Sequence, residues 1–96
     1  MIEVRQTAEF RRWLSGLVDK GAKAKVLVRI RRLSLGNPGD VRPVGGGVSE
    51  MRIDHGPGYR LYYVSRGISV AVFLIGGSRK SQTKDIERAI QLANLL

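Results

Sequence analysis

The sequence has no cysteine. Disulfides and thiolate metal sites are therefore excluded, and the composition fits a reducing cytoplasm. Long apolar runs are also missing. The longest, Val70 to Ile75, is far too short to span a bilayer. No basic start followed by an apolar stretch reads as a secretory signal. The expectation is a cytoplasmic protein with no membrane partner. A single histidine, His55, is present, and neither a Ser/His/Asp arrangement nor a metal-ligand set is specified. Acidic residues are scarce: 8 Asp+Glu stand against 17 Lys+Arg, a net charge of +9. So much like charge repels itself, and it implies attraction to a polyanion: nucleic acid, an acidic membrane or an acidic partner protein. The 96 residues suffice for one domain covering 1–96, and a hydrophobic content of 43% allows a core.

What is there is an alternation of short strand and helix patterns. Ile2 to Arg5 reads as a strand. Thr7 reads as an N-cap, with Glu9 in the first turn of a helix whose Phe10, Trp13, Leu14 and Leu17 recur at helical spacing. Asp19-Lys20-Gly21 breaks that helix, and a second runs from about Ala22 to Leu35. Val26, Ile30 and Leu33 form its apolar row, and Lys25, Arg29 and Arg32 form a basic row at the same spacing. Gly36 suits the position after the helix, and Pro38 prevents continuation. Val41 to Val44 is a candidate short strand, broken by Pro43 and not counted in the element order. Three strands follow at Val48–Asp54, Tyr59–Ser65 and Ile68–Ile75, then a final helix with Ile86, Ala89, Ile90 and Ala93 on one stripe. The order β-α-α-β-β-β-α predicts an α+β fold. A twisted, mainly antiparallel sheet would carry a helical hairpin on one face, with a C-terminal helix after the last strand.

The stretch SEMRIDHGPGYRLYY, Ser49 to Tyr63, places charge where a sheet is expected. A loop of Gly56-Pro57-Gly58 would set Asp54 opposite Arg60, Arg52 opposite Tyr62, Ile53 opposite Leu61 and Met51 opposite Tyr63. Apolar and charged sets then separate, which is how burial selects a register. Extended across a tight turn at Arg66-Gly67, it puts Val70, Val72 and Leu74 on the face of Met51 and Ile53. The opposite face holds Glu50, Arg52, Asp54, Arg60 and Tyr62, beside Val64, Ala71, Phe73 and Ile75. The last helix would cover its apolar part and leave its charged part open, with Arg79 and Lys80 at the rim. Alternation places His55 on the Met51 side, away from that surface.

Such a face either holds solvated cross-strand pairs or grips phosphate. Arginine forks match phosphate oxygens, and Tyr62 offers a ring for base stacking. Cleavage of RNA there would proceed by attack of a ribose 2′-OH on the adjacent phosphate, with Arg52, Arg60 or Lys80 stabilising developing charge. Glu50, Asp54, Lys80 and Tyr62 are the candidate bases. Lys25, Arg29, Arg32 and Arg79 are candidate RNA contacts.

Three stretches, LSLGNPGDVRPVGGGVSEMRID, GPGYRLYYVSRG and GGSRKSQTKDIERAIQLA, resemble the RelE/ParE superfamily of bacterial toxins, especially its HigB-like addiction-module killer branch. SEMRIDHGPGYRLYY is the most specific part. The resemblance implies a toxin of a type II toxin–antitoxin system, held inactive in a heteromeric complex by a cognate antitoxin, expected to be a helix-turn-helix protein. Ribonucleolytic members arrest growth by cutting mRNA on the ribosome and so inhibiting translation. They need no cofactor and no metal. The residues matched here are Arg52, Arg60 and, after the last strand, Lys80 or Arg79. Glu50 and Tyr62 complete the expected catalytic set. The sequence departs from several of those members at its end, where 78–96 holds neither Tyr nor His. ParE-like relatives act on DNA gyrase instead, and a basic nucleic-acid-binding module without catalysis is a further alternative.

Overall fold

The computed structural model describes residues 1–96. Its elements are β1 (Glu3–Gln6), α1 (Ala8–Ser15), α2 (Lys20–Ser34), β2 (Val41–Gly45), β3 (Val48–Ile53), β4 (Tyr59–Arg66), β5 (Val70–Gly77), a 3₁₀ turn (Arg79–Ser81) and α3 (Gln82–Asn94). The five strands form one sheet in the order β1-β5-β4-β3-β2. β1 runs parallel to β5, and the other pairs are antiparallel. The expected α+β class is observed, but the order is β-α-α-β-β-β-β-α, one strand more than expected, because the Pro43-containing segment Val41–Gly45 pairs with β3 as a full edge strand.

Local chemistry sets the helix starts. The Thr7 hydroxyl accepts from the Phe10 N–H at 3.0 Å and donates to the Leu74 carbonyl at 2.6 Å, tying the start of α1 to β5. Asp19 does not merely break the chain. Its carboxylate accepts from the Ala22 N–H at 3.1 Å, so α2 begins at Lys20 rather than Ala22. Gly36 follows α2 with φ of 92°, a left-handed conformation that glycine adopts without a Cβ penalty. Pro43 lies in β2, an edge strand, where its missing N–H breaks no interior ladder.

Both faces of the sheet are covered. On one, Phe10 and Leu14 of α1 and Val26 and Leu33 of α2 pack with Met51, Ile53, Leu61, Tyr63, Ala71 and Phe73. On the other, Ala89 and Ala93 of α3 pack with Val48, Tyr62, Val64, Val72 and Leu74.

The register differs from the expected one in two places. β3 and β4 pair as Glu50↔Tyr62, Met51↔Leu61, Arg52↔Arg60 and Ile53↔Tyr59. The connecting loop is 54–58 rather than Gly56-Pro57-Gly58, with Gly56 and Gly58 at φ of 54° and 75°. The pairing moves by two residues, so the faces survive while the partners change. Asp54 no longer opposes Arg60, nor Arg52 Tyr62. Beyond β4 the faces themselves invert. The hairpin closes with Arg66 opposite Val70 and Tyr63 opposite Phe73, leaving Gly67, Ile68 and Ser69 as its loop. Val72 and Leu74 therefore join the α3 side, and Ala71 and Phe73 join α1 and α2. A register irregularity between Tyr62 and Tyr63 then sets Tyr62 opposite Ile75.

Candidate functional site: an arginine groove at the β3–β4 hairpin

Cross-strand pairing sets Arg52 directly opposite Arg60. Like charges in that position repel, and each arginine has its own carboxylate. Arg52 donates from Nε and Nη2 to the two carboxylate oxygens of Asp40, both at 3.2 Å. That pair is half-exposed on both sides. Arg60 is different. Its side chain is 11% exposed, Nη1 donates to the Gly58 carbonyl at 2.6 Å, and Nε lies 3.7 Å from Glu50 Oε2. Nε has no hydrogen-bond partner although it is buried.

Glu50 and Tyr62 do not stand on an open face. Both are fully buried, beneath the start of α3. The Glu50 carboxylate accepts from Arg42 Nε at 2.9 Å, Tyr62 OH at 3.0 Å and Gln82 Nε2 at 2.9 Å. Burial alone would raise the Glu50 pKa. The hydrogen bonds from Gln82, Arg42 and Tyr62, with the Arg42 charge, outweigh it and hold the carboxyl below its ordinary value. Burial, then the Glu50 charge and hydrogen bond, push the Tyr62 phenol well above its ordinary range. The phenol stays protonated and the carboxylate stays charged. As catalytic residues facing substrate, the expected Glu50 and Tyr62 are corrected by their position: α3 roofs them, and every polar atom they offer is in use.

The accessible remainder is a groove of about 500 Å³ at the hairpin tip, walled by Arg52, Arg60 and Arg79 together with Asp40, Asp54 and His55. Gly58 lets the wall close. A Cβ there would lie 3.2 Å from Arg60 Nη1 and 3.6 Å from Arg79 Cβ. Lys80 is exposed on the 3₁₀ turn and is not part of this wall.

His55, set aside by strand alternation, lines the groove. β3 ends at Ile53, so alternation does not reach residue 55. Its Nε2 lies 3.0 Å from Asp19 Oδ2, and its side chain is 25% exposed. The Asp19 pKa is depressed, first by the Ala22 N–H and then by His55. Asp19, Asp40, Arg42 and Gln82 were absent from the expected site. The cap position announces Asp19 in the sequence, whereas the other three are brought in by tertiary packing alone.

The basic row of α2 is elsewhere. Arg29 Nη1 donates to the Arg52 carbonyl at 2.6 Å, and its Nη2 reaches the Pro38 and Asp40 carbonyls at 3.2 and 3.4 Å. Lys25 Nζ donates to the Asp54 carbonyl at 3.2 Å. These two cations pin the main chain that carries Arg52. Arg32 is exposed beside them. No helix is long and apolar enough to cross a membrane.

No family model matches the chain. The solution structure of the conserved hypothetical protein HP0894 from Helicobacter pylori superposes with a TM-score of 0.51 at 19% identity, over 83% of this chain and 97% of that one. That likeness concerns the fold alone. An uncharacterized protein of Haemophilus influenzae is 43% identical over 95 residues, which covers 99% of this chain and 96% of its own length. The chain belongs to the family of that Haemophilus influenzae protein.

Proposed function

We propose that the chain is the toxin of a toxin–antitoxin pair and an endoribonuclease acting on mRNA held on the ribosome. One observation carries the reading: Arg52 and Arg60 are forced opposite each other at the mouth of a groove that Arg79 also walls. A bridging phosphate relieves that repulsion, and the guanidinium forks fit its oxygens. The resemblance of SEMRIDHGPGYRLYY to RelE/ParE toxins supports the same assignment.

In this reading the ribose 2′-oxygen attacks the neighbouring phosphorus and the bond from phosphorus to the 5′-oxygen breaks, leaving a 2′,3′-cyclic phosphate. The arginines stabilise the charge that builds on the phosphoryl oxygens. Glu50 and Tyr62 are enclosed and Lys80 is off the wall, which leaves Asp54 and His55 in the groove; the 2′-OH proton is assigned to His55, whose ring Asp19 orients. With Nε2–H donating to Asp19, Nδ1 presents a lone pair. The 5′-oxygen leaves with a proton from water.

The enclosure of Glu50 and Tyr62 also favours a second reading, in which the groove binds a polyanion without cutting it and the chain poisons DNA gyrase. Mapping mRNA 5′ ends after brief induction separates the two. The nuclease reading expects new 5′ ends that vanish in the Arg52→Ala/Arg60→Ala variant. Intact mRNA together with stalled gyrase–DNA complexes would establish the second reading instead.

A further inference from the structure

Helix α2 has a buried apolar face and, on its far side, a group of exposed apolar residues. The inner face, with Ala22, Val26 and Leu33, is buried on the sheet. At about 3.6 residues per turn, Ala24, Leu27 and Val28, with Leu35 just past the helix end, fall on the opposite arc, which Lys20 and Arg31 share. They are open to solvent: Leu27 is 49%, Val28 48% and Leu35 59% exposed, and Ala24 is exposed beside them. Large apolar side chains grouped on an exposed surface mark an interaction site, and nothing encloses these. The same helix carries Lys20, Lys23, Lys25, Arg29, Arg31 and Arg32 and no acidic residue. A depression of about 380 Å³ lies alongside, lined by Ala24, Val28, Arg32 and Ile53 among others.

We propose that this outer face of α2 docks an acidic amphipathic helix of a partner protein. Such a segment lays apolar residues at helical spacing along Leu27, Val28 and Leu35. Its carboxylates meet Arg31, which lies between Leu27 and Leu35 on the arc, and Arg32 at the edge. Charge complementarity selects this occupant over two others. A second copy of the chain would set two acid-free basic helices against each other. RNA would satisfy the cations but leave Leu27, Val28 and Leu35 in water, and Lys25 and Arg29 already hold main-chain carbonyls. The inference is independent of what the arginine groove does.

The test uses the isotope-labelled full chain and three probes: a synthetic amphipathic peptide with leucines at helical spacing and flanking glutamates, its scrambled isomer, and a single-stranded RNA. The amphipathic peptide should shift the amides of Ala24 to Leu35 and bind well above the scrambled one. Leu27→Asp/Val28→Asp should weaken it about 30-fold or more, the loss expected of residues central to an interface. Both positions are exposed, so the melting curve should hold. Leu27→Ser/Val28→Ser, without added charge, should weaken binding in the same direction. Equal binding of the scrambled peptide, or unchanged affinity in both variants, would overturn the proposal. So would peptide shifts confined to the arginine groove, RNA shifts on α2 in place of peptide shifts, or self-association abolished by Leu27→Asp/Val28→Asp.

Discussion

Replacing Glu50 by Gln separates a structural carboxylate from a catalytic one. Glu50 is fully buried and takes hydrogen bonds from Arg42, Tyr62 and Gln82, with Arg60 Nε 3.7 Å away. Glutamine keeps the shape but removes the charge, and its amide N–H₂ faces groups that are themselves donors. Removing one partner of a buried charge pair costs about 3–5 kcal/mol. The retained carbonyl acceptor argues for the lower end. For a domain of this size about 3 kcal/mol corresponds to a fall in Tm of about 12–24 °C, a large share of a total stability of about 5–15 kcal/mol. The sign of the pH dependence follows from the depressed Glu50 pKa. Its contribution is fully present above the unfolded carboxyl value of about 4.3 and is lost as pH falls through the lower folded pKa. The gap between wild type and Glu50→Gln should therefore close in acid. Circular-dichroism melts at neutral and acid pH measure this, and RNA cleavage well below both melting points gives the second reading. A variant that melts within about 2 °C of wild type yet loses cleavage would refute the structural assignment.

His55→Asn should lower ribosome-dependent cleavage and remove the dependence of its rate on a proton acceptor, seen as a flattened pH–rate profile at constant RNA affinity. An unchanged profile would exclude His55 as the base. Gly76→Ala places a Cβ 2.3 Å from the Trp13 ring, and overpacking of this kind costs about 1–3 kcal/mol. Emission from the sole tryptophan should shift red, and an unshifted spectrum at an unchanged Tm would count against the packing described. Arg29→Met removes the hydrogen bonds to the Arg52, Pro38 and Asp40 carbonyls and should cost about 1–2 kcal/mol. Amide exchange should quicken at Gly39 and Asp40 and at Arg52, whose N–H pairs with the Asp40 carbonyl. Hydrogen–deuterium exchange reads this directly. Asp40→Asn should tighten RNA binding several-fold at low salt and steepen its salt dependence by about one counterion.

The parts of the fold that were legible had local causes. Thr7 before Phe10, Gly36 after α2 and the stripe of Ile86, Ala89 and Ala93 each announce an element through capping or period. The β3–β4 faces were legible too, because Met51 and Ile53 alternate with Glu50 and Arg52. Alternation fixes only parity. Loops of three and five residues give the same faces, so the cross-strand partners could not be read, and the Arg52–Arg60 juxtaposition is a structural finding. β5 offered less. Val70 to Ile75 is apolar throughout because both sheet faces are covered, and an unbroken run carries no period-2 signal. Its side was inferred from the hairpin turn, and a loop one residue longer reversed it. Ile68, 99% exposed at that loop, looked like part of a strand. The site was least legible where α3 closes over it, since Gln82 reaching Glu50 from 32 residues away leaves no mark in the sequence.

Burial decides which charges of the hairpin are fixed and which are exchangeable. Glu50 is fully buried and the Arg60 side chain is only 11% exposed, so exchanging either partner would strand the other. Asp40 and Arg52 sit half in solvent, where an ion pair is worth about 0–1 kcal/mol. Yet their geometry is that of a fork on two oxygens, which is how a phosphate would engage the same guanidinium. Asp40 therefore holds Arg52 extended in the pose that an incoming phosphate needs, at little energetic cost to displace. Arg29 supports the same pose from behind through the Arg52 carbonyl. A charged carboxylate beside each arginine is thus no argument against an anion site. Only the solvent-exposed one can give way, so in the proposed reading a phosphate would enter on the Arg52 side and come to rest against Arg60.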